Sequence, residues 1–126
     1  RLAASWADGL CGFTWAATPD EVAPVFELAR RTWAEAGRER PKLVTGFWFA
    51  LGAKAREQMA THLGRYMNWL DPAAREAAQQ HAGFTGDVRA LRDRLRQMED
   101  LGADEVHLVP TCGDPEEVER AADAIA

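Results

Sequence analysis

This sequence is short of basic charge, of metal-binding side chains and of long apolar runs, and each shortage excludes something. Its 126 residues carry 15 Lys or Arg against 20 Asp or Glu, a formal net charge of −5. That balance gives no general attraction for a phosphate backbone. The basic stretches at Arg30-Arg31 and from Arg89 to Arg96 are interrupted by acids, so nucleic acid is not an expected partner. The only cysteines, Cys11 and Cys112, lie near opposite ends of the chain with no CxxC pair, and the three histidines are scattered. A zinc site lacks its ligands. Spacing leaves a disulfide open, and two buried thiols in a reducing cytoplasm are the preferred reading. No apolar run approaches the roughly 20 residues that span a bilayer, and no signal peptide is visible. A membrane is therefore not an expected partner, and the cytoplasm is the expected compartment. What remains is 47% hydrophobic and 28% charged, the balance of one globular domain.

The chain opens RLAASWADG, with no Met and no helix cap. Arg1, Ala4 and Ala7 define a helical stripe that ends at Asp8-Gly9, where Gly suits the left-handed C′ position. The expectation is the last turns of a helix begun upstream, in a chain that is cut. Gly9 to Phe13 reads as a short buried strand. Thr18-Pro19-Asp20-Glu21 then forms a capping box with proline at the first helical position, and Val22, Phe26, Ala29, Trp33 and Ala36 give one apolar face. Gly37 ends that helix.

Lys42 to Leu51 (KLVTGFWFAL) is apolar almost without alternation, as in a strand covered on both faces in a parallel sheet. Gly52 closes it. A helix from Ala53 to Leu70 places Met59, Leu63, Tyr66, Met67 and Leu70 on one side. Asp71-Pro72 caps a second, Ala-rich helix to about His81. The AGFTGD segment breaks the pattern. Val88, Leu91, Leu95, Met98 and Leu101 make a further amphipathic helix, whose charges from Arg89 to Asp100 read as a solvated face with i,i+4 pairs. Glu105 to Thr111 is a third strand. Asp114-Pro115-Glu116-Glu117 reads as a second capping box, opening a last helix through Val118, Ala122 and Ile125.

Three alternating strand and helix units argue for a parallel sheet with right-handed crossovers. Three such strands leave unpaired outer edges, an aggregation hazard, so the missing half comes from further chain or from a partner. An open doubly wound sheet is the other architecture considered.

The residues also resemble a known family. RLAASWADG is similar to the R-x-A-x-x-A-D-G segment of luciferase-like monooxygenases, where a helix leads into the sixth barrel strand. TPDEVAPVFELARRTWAEAGR resembles the family's following helix, which ends in A-G-R. LGADEVHLVPTCGDPEEVERAADAI resembles its C-terminal stretch. The segments cover nearly the whole chain in the family's order. The resemblance implies an α/β fold, with residues 1–126 as one partial domain forming about strands six to eight of a (βα)₈ TIM-type barrel. It implies part of a flavin-dependent oxidoreductase or monooxygenase using FMN or a deazaflavin on a small organic substrate. The first five units, with much of the cofactor site, would be absent, so the chain alone is expected to bind no cofactor tightly, to lack activity and to self-associate. Whether the chain is itself an enzyme stays open. The alternative is a non-catalytic α/β module that completes its sheet against another chain.

In a (βα)₈ barrel the chemistry gathers at the C-terminal ends of the strands, here Phe13-Thr14-Trp15, Phe49-Ala50-Leu51 and Val109-Pro110-Thr111. The candidate cofactor-binding residues are Trp15, Trp48, His107 and Thr111. Trp15 and Trp48 offer flat, rigid area to an isoalloxazine or an apolar substrate; the competing reading makes them packing aromatics. His107, inside a strand, is a proton carrier or hydrogen-bond donor, or else a satisfied buried histidine. His62 and His81 read as solvated helix residues, and Trp6, Trp33 and Trp69 as core. Cys112 reads as a bystander thiol, because no histidine is arranged to activate it. Asp114 as N-cap occupies the helix amides that a phosphate would need. No residue is assigned as catalytic.

Overall fold

The computed structural model describes residues 2–126; Arg1, which the opening helical stripe invoked, lies outside them. A short 3-10 turn, Ala3–Ser5, leads into β1 (Gly9–Cys11), and the chain then runs α1 (Pro19–Glu35), β2 (Lys42–Leu51), α2 (Ala55–Tyr66), α3 (Pro72–His81), β3 (Phe84–Gly86), α4 (Val88–Asp100), β4 (Glu105–Pro110) and α5 (Pro115–Ala122). Gly9 is not a helix terminator. It begins β1, and a Cβ there would collide with the Lys42 carbonyl, so close strand approach is what this glycine serves.

β2 is the hub of the sheet. It pairs in parallel with β1 over residues 42–44, with β3 over 49–51 and with β4 over 44–49. Val44 and Phe49 each pair on two sides, so β1 and β3 share one edge of β2, end to end, and β4 takes the other. The Gly83 N–H donates to the Trp15 carbonyl at 2.7 Å, joining the two short segments along that edge. β3 falls in the AGFTGD segment, which local pattern left as a break. Three residues are too few for periodicity to register, and their pairing partner lies more than thirty positions away. The fold is thus α/β with a parallel sheet and alternating strands and helices, and among the described residues the sheet does not close.

Side chains alternate across β2, and both sides are buried. Leu43, Phe47, Phe49 and Leu51 pack with Val22, Phe26, Ala29 and Trp33 of α1, with Leu91 and Met98 of α4, and with Ala121 of α5. On the opposite face Trp48 and Ala50 meet Met59 and Leu63 of α2 and Ala78 of α3. That second face is covered only near the C-terminal end of β2. Lower down, Cys11, Glu105 and His107 are exposed, so Cys11 is not the buried thiol expected, and both cysteines are free.

Several helix expectations change in detail. Thr18 stands at the N-cap of α1 without a side-chain cap bond, and the Glu21 carboxylate, which would complete a capping box at the Thr18 N–H, instead accepts the Ala16 N–H at 2.8 Å. Asp71 does cap α3, accepting from the N–H groups of Ala73 and Ala74. On α5 the buried positions are Glu117 and Ala121, with Ala124 buried just past its end, while Val118 and, beyond the helix, Ile125 are exposed; the two alanines let this segment approach its neighbours closely. On α4, Arg92 donates to the carbonyls of Asp123 and Ala124, and Arg94 to that of Ala17 while lying over the Phe84 ring. These arginines fasten neighbouring segments and do not form the expected solvated pairs. Trp33 is core, whereas Trp6 and Trp69 are exposed.

Candidate functional site

The strongest concentration of unusual side chains lies where β1 and β2 end. The Gly12 and Thr14 N–H groups donate to the Val44 and Gly46 carbonyls at 2.9 and 2.8 Å, carrying the β1 ladder past Cys11. That register sets Phe13 beside Gly46, whose missing side chain leaves room, and Trp15 beside Trp48. Phe13 meets Trp48 edge to face with ring centroids 4.8 Å apart, and Trp15 meets it at 6.1 Å. From above, α2 contributes two rings at i,i+4 spacing, which share one helix face. Tyr66 lies 5.4 Å from Trp48, and His62 lies 5.8 Å from it and stacks on Tyr66 at 5.7 Å.

Trp48 is the floor of this cluster at 8% exposure, while Phe13, Trp15 and Tyr66 keep 49%, 40% and 60%. His62 is half-buried, and its Nε2 is out of solvent with no hydrogen-bond partner among the described residues. Burial pushes the imidazole below its ordinary value of 6.5, so it is neutral at pH 7. Around the free edge of β1, on the α1 side, Phe13 and Trp15 also border a cleft of about 330 Å³ that Leu10, Val22, Val25 and Phe26 help to line.

Of the four candidates read from sequence, the structure brings Trp15 and Trp48 together. His107 shares their sheet face next to Gly46, but its side chain is 59% exposed, so it is not a buried barrel histidine. It stands 3.4 Å from Glu105, which pairs with Lys42. Lys42 first and His107 second hold the Glu105 carboxyl below its usual range. Thr111 is committed elsewhere: its hydroxyl donates to the Phe49 carbonyl at 3.0 Å and accepts from Gln58 at 2.9 Å. Asp114 caps α5 through the Glu116 N–H, which leaves the last helix start no free welcome for an anion.

Two residues of this region escaped the sequence reading. Sequence pattern reads His62 as a solvated helix residue, yet its four-residue spacing from Tyr66 is the available signal that both rings share a face. The Asp-Pro-Glu-Glu pattern reads Glu117 as a capping residue, and it is instead fully buried, its carboxylate accepting the Leu51 N–H at the end of β2. Among the described residues no group of His, Cys, Asp and Glu is arranged to hold a metal ion, and no helix is long and apolar enough to cross a membrane.

No protein-family model matches the chain, and no curated protein matches it. Among solved structures it is similar to an F420-dependent secondary alcohol dehydrogenase in complex with an F420-acetone adduct, with TM-score 0.67 and 16% sequence identity. The alignment covers 99% of this chain and 44% of that one, so this chain spans under half the length of that enzyme. At this identity the likeness is one of fold, and it is a likeness to an α/β oxidoreductase over essentially the whole chain.

Proposed function

We propose that this chain forms the strand-six-to-eight part of a luciferase-like, deazaflavin- or flavin-dependent oxidoreductase acting on a small organic molecule. The observation that carries this reading is the aromatic wall of Phe13, Trp15 and Trp48 at the C-terminal ends of β1 and β2, where enzymes of (βα)₈ architecture place their chemistry. Support comes from the similar alcohol dehydrogenase, whose F420 is a deazaflavin, which favours a deazaflavin over FMN. Residues present here fit a planar tricyclic ring on one side: Trp15 and Phe13 supply exposed flat area and Trp48 a buried backing. The bound cofactor would supply the hydride chemistry. These side chains would orient it and keep water from one of its faces, while neutral His62 and exposed His107 are the imidazoles near enough to this face to position a proton.

The chain alone offers only part of a pocket, and ligand sites normally bury most of their ligand. Titration of F420, and separately FMN, against the purified chain should therefore quench tryptophan fluorescence saturably but weakly, with Kd between about 10 μM and 1 mM, or roughly −7 to −4 kcal/mol. Trp15→Ala should weaken it at least threefold. Absence of saturable quenching by either compound up to about 1 mM would remove the cofactor reading. Binding by a monomer at or below about 1 μM would show that these units already hold a complete site. The edge of β1 that is unpaired among the described residues and the exposed Val25 beside it favour a second reading, a module that completes its sheet on another chain, and that reading expects association without any cofactor response.

A further inference from the structure

We infer that copies of this chain join head to tail, the free edge of β4 in one copy adding a parallel strand to the free edge of β1 in another. This deepens the second reading of the proposed function, a module that completes its sheet on another chain, and rests on it. What it adds is the identity of the partner and both contact surfaces.

The two edges match in strand sense, in backbone alternation and in shape. β1 and β4 flank β2 on opposite sides of one parallel sheet, and among the described residues neither pairs with a further strand. The Gly12 and Thr14 N–H groups donate to Val44 and Gly46, so the alternate residues Gly9, Cys11 and Phe13 turn their backbone groups to the open side. Val44 and Gly46 thus face β1, which leaves Thr45 and Phe47 to face β4. Val106 and Leu108, their register partners, then turn outward. Pro110 falls in the same alternation and brings no N–H to that edge. A second copy's β4 laid along β1 keeps every strand parallel and sets like faces together, Leu108 beside Gly12 and His107 beside Cys11. On the α1 side, Leu10 and Gly12 line the cleft of about 330 Å³. A Cβ on Gly12 would meet nothing within 4 Å, while Val106 and Leu108 are only half-buried. Leu108 of the second copy fills the room that Gly12 leaves. A two-fold contact of β1 with β1 would leave every β4 edge bare, whereas the head-to-tail contact repeats and covers both kinds.

Cys11 and His107 are exposed on the other sheet face, one beside each edge. Cys11→Asp and His107→Asp therefore each place a carboxylate where an added strand would strip its water, without touching the core. Sedimentation of the unaltered chain should show growth past two copies as concentration rises. Each variant alone should associate at least about tenfold more weakly, because one of its two surfaces is spoiled. Mixed in equal amounts, the variants should recover association and stop at two copies, since one keeps its β4 edge and the other its β1 edge. Hydrogen exchange in the unaltered chain should slow on association at the Cys11, Phe13, Val106 and Leu108 N–H groups, and change less at Gly12 and Thr14, which are already bonded. Full association by either variant alone, a mixture no better than its parts, or slowing confined to one edge would overturn the inference and leave the sheet-completing reading in place. No association of the unaltered chain at about 1 mM would remove both.

Discussion

The carboxylate of Glu117, out of solvent on α5, accepts the backbone N–H of Leu51 at 2.9 Å where β2 ends. The same oxygen takes Gln58 Nε2 at 3.0 Å, and the other takes Arg120 at 2.7 Å. Gln58 also reaches Thr111. One acidic side chain thereby joins β2, α2 and α5, and through Gln58 the residue that follows β4, and it holds the first turn of the helix that carries His62 and Tyr66 to Trp48. Glu117→Ala leaves a buried N–H unpaired, at about 1–3 kcal/mol, and strips Gln58 and Arg120 of a partner as well. We expect a total loss near 3 kcal/mol in urea unfolding, and faster exchange of the Leu51 amide. Glu117→Gln keeps an acceptor for Leu51 and should lose about half as much. Equal losses in the two variants would mean the carboxylate is not the organising group.

Residue pattern carries most of this architecture and little of this network. Lys42–Leu51 was legible as a central parallel strand because both of its faces are apolar, and the turns at Gly37, Gly52 and Gly102 were legible because their backbone takes positive φ, which side chains resist. α3 was legible from Asp71-Pro72. The sign of Glu117's role was not, since Asp-Pro-Glu-Glu fits a capping box equally well and only the approach of Leu51 from 66 positions away decides the matter. At the candidate site, Trp15 and Trp48 stood at strand ends that sequence could locate. His62 joins them through the packing of α2 against the sheet, which no local pattern encodes.

The strand assignment makes a second quantity measurable. Phe47 is fully buried between α1, α4 and β2's neighbours, and its ring lies 6.3 Å from that of Phe84. Phe47→Ala removes the ring and leaves a cavity, at about 3–5 kcal/mol. Phe47→Leu, which keeps most of the volume, should cost under about 1.5 kcal/mol. Urea midpoints should fall in that order at unchanged m-value. An Ala variant as stable as the parent would place this strand somewhere other than the core.

Asp104 predicts a pH dependence. Its carboxylate accepts the Leu43 N–H at 2.7 Å and pairs with Arg40, and the backbone bond first and the arginine second hold it below its ordinary value of 3.8. A depressed folded-state value means that the unfolded chain binds the proton more readily between the two values, so stability rises with pH there. The contribution is complete above the unfolded value and drains away as pH falls through the folded one. Unfolding midpoints measured from pH 2 to 6 should therefore drop on the acid side of about 4, and Asp104→Asn should flatten that limb while leaving the neutral-pH baseline sloped as before. An unchanged acid limb in the variant would assign the effect to other carboxylates.

The last expectation concerns the edge that β1 leaves unpaired. Its backbone groups are a template for another strand, and apolar surface lies beside it: Phe13, Trp15 and Val25, each at least 40% exposed, border the cleft that Leu10 and Phe26 help to line, and the exposed Leu28 follows Val25 by three residues on α1. Contiguous apolar surface of this sort seeks cover, and at high concentration the nearest cover is a second copy of the chain. Sedimentation should show monomer at low micromolar concentration and reversible association at hundreds of micromolar. Val25→Lys with Leu28→Lys puts two like charges on the flank of the edge without touching the buried Val22, Phe26 and Ala29, so the fold should survive while association weakens at least tenfold, about 1.4 kcal/mol. Association that ignores these two substitutions, yet disappears when Trp6 and Trp69 are replaced by Ser, would move the contact to the other exposed tryptophans and leave the β1 edge without the role assigned to it.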